Sequence, residues 1–229
     1  MNPLVKNEPE FIPAKETPWF IFIFDLYVRN LFWRRFKNVW VDTEYEPDSG
    51  SRSLYYLNHT SWWDGLIPLL LNQKLFKQKA RAMMEDKQMI EHRLFQRVGA
   101  FSVNLENPRS AVRSLRYAVE SLKRHDSSLF IYPEGKIHPF KTEKLDFRDG
   151  LGWITSHLPG LDTVPVGIYI HSATGDKPEL FIRVGKPVPY SPDSKREELN
   201  RLFKDQLSQL LKELQQNAHS NRHRFQKLI

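Results

Sequence analysis

The sequence predicts an α/β domain: a mostly parallel or mixed central sheet flanked by helices, with an aromatic helical extension at the N-terminus. Three observations carry this. Short apolar runs at 54–57, 81–84, 100–105, 129–132, 163–170 and 180–184 are of strand length. Stretches of helical periodicity lie between most of them, the alternation of β-α-β units. Residues 18–37, by contrast, are apolar almost all round.

In chain order, residues 1–16 carry Glu8, Glu10, Pro13 and Glu16 without periodicity and read as a flexible lead-in. Thr17-Pro18 is a helix start, with Thr17 as N-cap and Pro18 at the first helical position. From there to Lys37 come Trp19, Phe20, Phe22, Phe24, Tyr27, Phe32, Trp33 and Phe36, against one narrow polar stripe of Asp25, Arg29, Asn30, Arg34 and Lys37. Such a helix suits a bilayer interface, where aromatic rings and arginine both sit well. Packing on the domain core is the alternative that the same pattern allows.

Asp48-Ser49-Gly50-Ser51 is a turn cluster ahead of the strand at 54–57. Residues 62–71 read as a short buried helix despite Pro68, and the strand at 81–84 is followed by a helix. After the strand at 100–105, Asn107-Pro108 caps a helix whose apolar face is Ala111, Val112, Leu115, Ala118, Val119 and Leu122. The strand at 129–132 precedes a short helix at 150–156 and the strands at 163–170 and 180–184. An amphipathic helix follows at 194–216, on Leu199, Leu202, Phe203, Leu207, Leu210, Leu211 and Leu214. The basic tail with His219, Arg222, His223, Arg224 and Lys227 reads as frayed. The expected organisation is a lead-in and interface helix over 1–45, an α/β domain over 46–192, and a closing helix and tail over 193–229.

At 229 residues the chain has room for one domain, and 40% hydrophobic residues supply its core. Absence of cysteine excludes disulfides, thiol nucleophiles and thiolate-bound metals, and fits a reducing cytosol. The formal charge of +7 suits contact with anionic lipid or an acidic carrier, while no RNA-binding or helix-turn-helix signature points to nucleic acid. No basic segment leads into a long apolar core, and the run 18–24 ends at Asp25, short of the roughly 20 residues a spanning helix needs. The expected location is cytoplasmic, peripheral on the inner face of the cell membrane.

The chemistry concentrates where the strand at 54–57 ends, in Asn58-His59-Thr60-Ser61-Trp62-Trp63-Asp64. Five positions separate His59 from Asp64, across a turn and the first turn of a helix. That spacing lets the carboxylate hold one imidazole nitrogen while the other faces a substrate, the simplest general base a protein builds. A second strand end, at Tyr132-Pro133-Glu134-Gly135-Lys136, runs into a charged, glycine-bearing loop.

In order along residues 50–190, His59 to Asp64, Gly99-Ala100-Phe101-Ser102-Val103, Tyr132-Pro133-Glu134-Gly135 and Val164-Pro165-Val166 resemble the four blocks of the glycerolipid acyltransferase family. Phe147-Arg148-Asp149-Gly150 resembles the Phe-Lys-x-Gly stretch between the last two. The resemblance implies transfer of a fatty acyl group from an acyl thioester to a lipid hydroxyl. His59 takes the acceptor's proton, and Asp64 fixes the imidazole tautomer and stabilises its cation. The alkoxide attacks the thioester directly, consistent with the absence of cysteine and of a Gly-x-Ser-x-Gly elbow. Backbone amides at 61–63 or the Lys136 ammonium are candidates to hold the oxyanion. Glu134 binds a hydroxyl or braces its loop, and Gly135 allows close backbone approach. Gly99, Lys136, Arg109, Arg148 and Pro165 complete the expected substrate contacts; His138 is an open candidate.

The chain departs from that family at two places. Leu105, after Asn104, and Ile137, after Lys136, stand where relatives acting on glycerol phosphates carry arginines that grip the acceptor phosphate. Arginine is the natural bidentate partner of phosphate, and Lys136, Arg109 or Arg148 would have to substitute. The expected acceptor is therefore either lysophosphatidate-like or a neutral lipid such as a glycolipid or glycosylated terpenoid. The donor is acyl-CoA or acyl carrier protein, the latter able to meet the basic residues between Lys74 and Arg97. No bound cofactor or metal is expected. A non-catalytic, membrane-associated lipid-binding protein is the alternative from another class; a metal-dependent hydrolase has only His59 and Asp64 as ligands, with neither His138 nor His171 at ligand spacing.

Overall fold

The computed structural model describes residues 11–172, 175–191 and 193–229. Residues 1–10 of the expected lead-in, with Glu8 and Glu10, lie outside the described residues. Residues 11–16, expected to be flexible, instead form, with Thr17, a strap along the sheet's outer strand. The Ser102 amide donates to the Ile12 carbonyl at 2.9 Å and the Ile12 amide to the Ser102 hydroxyl at 2.8 Å. Lys15 and Thr17 donate to the Gln96 and Arg97 carbonyls, and Phe11 packs on Phe101 and Tyr117. An edge strand offers unpaired backbone groups, and the strap covers them.

Helix α1 spans Pro18–Arg35 and buries Val28 and Phe32. Its polar stripe is split. Asp25 is buried and ion-paired with Arg29, so these two face the protein. Trp19, Phe22, Ile23, Leu26, Tyr27 and Trp33 are each at least half exposed. One face of α1 is therefore core, and the other is an uncovered apolar surface.

Strand β1, Val39–Thr43, follows directly and is an element absent from the sequence reading. β2, Arg52–Leu57, leads through a 3-10 turn at Trp62–Leu66 into α2, Ile67–Leu71, and a π turn at Asn72–Phe76. Then come β3 (Lys79–Glu85), α3 (Asp86–Glu91), a 3-10 turn at Arg93–Val98, and β4 (Ala100–Val103). α4 (Pro108–Leu122) is capped by the Asn107 side chain, which accepts from the Arg109 and Ser110 amides. β5 (Ser127–Ile131), α5 (Gly150–His157), β6 (Asp162–His171), β7 (Glu179–Val184) and α6 (Arg196–Ser220) follow. β8, Gln226–Lys227, ends the chain's regular structure.

Among the described residues the strands form one eight-stranded sheet in the order β4-β3-β5-β2-β6-β7-β1-β8. The β4-β3-β5-β2-β6 run and the β7-β1 pair are parallel; β6-β7 and β1-β8 are antiparallel. The sheet is thus mixed and mostly parallel, as the alternating pattern predicts. On one face α4, α5 and α6 pack Ala118, Leu122, Leu151, Ile154, Phe203 and Leu207 against Leu54 and Tyr56. On the other, α1 and α2 pack Val28, Phe32, Ile67 and Leu70 against Tyr55 and Leu57. The alternation of β2 between the two faces follows the two-residue period of a strand buried on both sides.

Two further expectations need correction. The tail is tied down rather than frayed: Arg222 pairs with Glu179, Arg224 with Asp42 and Glu44, and Phe225 is buried beside Phe181. Its cations find carboxylates gathered at the β1 and β7 strands, a long-range partnership invisible in sequence. On α4 the expected apolar face is only half covered. Ala118, Val119 and Leu122 are buried, but Val112 is 36% exposed, because the first turns of the helix border a cavity.

Candidate active site

The C-terminal ends of β2, β3 and β5 deliver their loops to one edge of the sheet, where open α/β folds place ligands. Asn58, first after β2, is buried and grips β6 with both side-chain atoms. Its Nδ2 donates to the Ile168 carbonyl at 2.9 Å, and its Oδ1 accepts from the Ile168 amide at 2.7 Å. This double bond to a strand fixes the backbone just before His59. It is a positioning residue that the sequence reading missed, and only its place beside His59 hinted at it.

His59 Nδ1 lies 3.1 Å from Asp64 Oδ2. Asp64 is fully buried. Its Oδ2 also accepts from the Ser61 amide at 2.8 Å and from the Thr60 amide, while Oδ1 accepts from the Ser61 hydroxyl at 2.7 Å. These bonds fix the carboxylate opposite the imidazole and shape the turn that carries the pair. Nδ1 being engaged, Nε2 is the imidazole nitrogen free to serve the cavity that His59 lines.

Tyr132, at the end of β5, closes the back of this pair. Its ring lies 4.4 Å from the imidazole, centre to centre, and its hydroxyl donates to the Asp64 carbonyl at 2.5 Å. Burial, and then the Asp64 charge, raise its phenol well above the usual tyrosine range, so it acts as a neutral prop. The loop beyond is tied to the same place: the His138 amide donates to the His59 carbonyl at 2.9 Å.

Glu134 is buried and does not line the cavity. It accepts from the Asp146 amide at 3.1 Å and pairs with Lys141 at 2.7 Å. Of the two roles open in the sequence, the geometry gives it the bracing one. Gly135 has φ +66, and an added Cβ would sit 2.9 Å from Arg148 Nε and 3.3 Å from Leu105 Cδ1. Glycine here lets Arg148 cross to the cavity, where its guanidinium donates to the Leu105 carbonyl at 3.0 Å. Lys136 is exposed at the same rim.

Three expected contacts are not brought to the site. Gly99 has φ +99, and a Cβ would meet the Ala80 carbonyl oxygen at 2.5 Å; it makes a tight turn into β4 and does not itself line the cavity, although Val98 and Ala100 do. Pro165 lies within β6, in register with Tyr56, and its carbonyl accepts from Gly185. Arg109 is exposed on the first turn of α4 and does not line the cavity, although Pro108 and Val112 do. Of the amides proposed for the oxyanion, Ser61's is consumed by Asp64, which leaves those of Trp62 and Trp63 in that turn. Among the described residues no group of three or more histidines and acids is placed to hold a metal ion.

The cavity measures about 1240 Å³, more than the roughly 300–1,000 Å³ of an ordinary small-molecule pocket. It flanks β3 on both faces of the sheet. One limb runs beside α1 and α2, past Phe24, Leu69, Ala82 and Phe95; the other runs beside α4 and α5, past Met83, Leu115, Phe147 and Trp153. A histidine held by a buried carboxylate, opening on long apolar limbs with cations at the rim, is equipped to deprotonate a hydroxyl next to an aliphatic chain.

Comparisons with known proteins bear on the family and the fold. The chain is 27% identical over 101 residues to the 1-acyl-sn-glycerol-3-phosphate acyltransferase of Streptococcus pneumoniae (strain ATCC BAA-255 / R6). That match takes in 42% of this chain and only 36% of the relative's length. The fold is similar to the crystal structure of PlsC, the 1-acyl-sn-glycerophosphate (LPA) acyltransferase from Thermotoga maritima. The TM-score is 0.60 at 22% identity, over 85% of this chain and 79% of that one. The Acyltransferase family model matches residues 29–170, which hold His59, Asp64, Tyr132 and Gly135, and the chain belongs to that family.

Proposed function

We propose that the chain is an O-acyltransferase that moves a fatty acyl group from a thioester, acyl-CoA or acyl carrier protein, to a hydroxyl of a lipid acceptor. The observation that carries this is the His59–Asp64 pair opening on an apolar cavity long enough for aliphatic chains. His59 Nε2 takes the hydroxyl proton as the oxygen attacks the thioester carbonyl. Asp64 holds the tautomer and balances the imidazolium. Lys136 or the Trp62 and Trp63 amides meet the oxyanion. Collapse of the tetrahedral centre expels the thiolate, which is protonated from the imidazolium.

The acceptor is lysophosphatidate-like in the first reading, which Arg148 and Lys136 at the rim support as phosphate partners. Ile137, 53% exposed at the same rim, together with Leu105, favours the second reading, a neutral acceptor such as a glycolipid. A panel of lysophosphatidate, lysophospholipids and neutral glycolipids separates them. If phosphate is read, Arg148→Ala raises KM for lysophosphatidate by about tenfold to a hundredfold, the worth of a charged hydrogen bond, and leaves neutral acceptors alone. Equal effects on both classes would remove Arg148 from phosphate recognition.

The uncovered face of α1 is proposed to seat the enzyme on the inner face of the cell membrane. Trp62 and Ile137, both exposed near the cavity, extend the apolar surface, and Arg34 and Arg35 close the helix. No described helix is long and apolar enough to cross a membrane. Burying one such side chain contributes about 1.5–3 kcal/mol, so Phe22→Asp with Trp33→Asp should weaken binding to anionic vesicles at least 100-fold. Unchanged co-sedimentation with vesicles would contradict that seat. The basic residues between Lys74 and Arg97 are a proposed contact for an acidic acyl carrier.

A further inference from the structure

Side chains of β3 alternate between the faces of the sheet, and Lys79, Arg81 and Met83 share the one turned to α4. Arg81 is 8% exposed and lies beside Tyr117 of α4. Arg124, just past the end of α4, reaches the same place. Lys79 is tethered next to it, its ammonium donating to the His125 carbonyl at 3.2 Å. β4 begins opposite Ala82, so no β4 residue flanks 79–81. Glu16, carried by the strap, fills that gap: it forms an ion pair with Arg81 and lies 4.0 Å from Arg124. All four of these charged residues line the cavity.

Among the described residues, two guanidiniums thus share one carboxylate, with an ammonium close by. Arg81 Nε and Arg124 Nη2 are buried there without a hydrogen-bond partner, and a buried donor left unpaired is costly. Burial, and then the neighbouring Arg124, lower the Arg81 guanidinium to about 10, as expected where cations outnumber the anion between them. We propose that Arg81, Arg124 and Lys79 form a phosphate-binding site whose place Glu16 holds when no ligand is bound. Guanidinium forks take phosphate in bidentate fashion, and a lysine adds a point charge. A phosphate brings more negative charge and more acceptor oxygens than a carboxylate, enough for the two leftover donors. About 13 Å of strand separates Arg81 from the end of β3 at the catalytic edge, so the site stands apart from His59 and from the rim cations Lys136 and Arg148. Glu16 is instead two residues from Pro18, where α1 and its uncovered apolar face begin. A lipid headgroup and a soluble phosphate ester both carry the required chemistry, and binding either requires no acyl transfer.

The test titrates the full chain calorimetrically, at constant ionic strength, with inorganic phosphate and with dihexanoyl phosphatidate, a soluble lipid; chloride is the control anion. Glu16→Gln removes the competing charge and keeps the shape of the side chain. Its Kd for phosphate should fall at least about tenfold below that of the unchanged chain, the worth of a charged hydrogen bond. Phosphate should also raise its melting temperature more than chloride does. Adding Arg81→Met or Arg124→Met to Glu16→Gln should abolish the gain. Arg124 is partly exposed, so its variant reports on the site even where buried Arg81 is needed for folding. Phosphatidate held more tightly than phosphate assigns the site to a lipid headgroup; equal affinity assigns it to a soluble phosphate. A Kd in Glu16→Gln no lower than in the unchanged chain, or a gain that survives Arg124→Met, would overturn the site.

Discussion

Replacing His59 by alanine should lower kcat/KM for acyl transfer by about 10³-fold or more, near the upper part of what a positioned general base contributes. The expectation follows from the geometry of both nitrogens. Nδ1 is taken by Asp64 at 3.1 Å, and Nε2 is left for the cavity. Two neighbouring candidates are unavailable as bases: Glu134 is committed to Lys141 and the Asp146 amide, and Tyr132 is held protonated by burial. Stability should hardly change, because His59 is partly exposed and its side chain caps nothing. Steady-state kinetics with a melting curve on the same sample checks both halves. Loss of less than about tenfold would take the base role away from His59.

Asp64 offers a finer test, because its carboxylate does two things. Oδ2 accepts two backbone amides as well as facing His59, so whatever replaces it must be an oxygen. Asp64→Asn can meet that demand with its carbonyl oxygen, while its amide turns to the Ser61 hydroxyl, which can accept. The turn and the imidazole tautomer are then kept and only the charge is lost. The rate should fall about 5- to 30-fold, the difference of about 1–2 kcal/mol between a charged and a neutral hydrogen bond to the forming imidazolium. Asp64→Ala should lose at least as much rate and also about 2–5 kcal/mol of stability, since the Thr60 and Ser61 amides are stranded. Equal melting temperatures for the two variants would show that the carboxylate does not hold the turn.

The central sheet was legible because each strand is a short apolar run and the helices between carry their own start signals. Asn107-Pro108 is the clearest, its side chain capping α4 as the residue type dictates. β1 was not legible: Val39–Thr43 follows a helix with one turn between and carries Asp42, whose partners Arg183 and Arg224 come from far down the chain. The tail and the strap failed for the same reason, since their order comes from Glu179, Asp42 and Ser102 rather than from local pattern. Within the site, the local pair His59 and Asp64 could be read from spacing. Asn58 could not, because its partner is 110 residues away on β6. Gly99 and Pro165 mark motif blocks in the sequence, yet in space they serve a turn and a strand. A glycine with positive φ against a carbonyl is a steric requirement, and proximity in a motif does not make it a substrate contact.

The most direct measurement is transfer of labelled palmitate from palmitoyl-CoA and from palmitoyl-acyl carrier protein to lysophosphatidate and to a neutral glycolipid, with the full chain and His59→Ala side by side. Acylated lipid formed by the full chain and absent with the variant is the result expected from a histidine base at the edge of this sheet. Label that reaches no acceptor, while the chain still binds the donor, would contradict it and leave a lipid-binding protein on an acyltransferase fold.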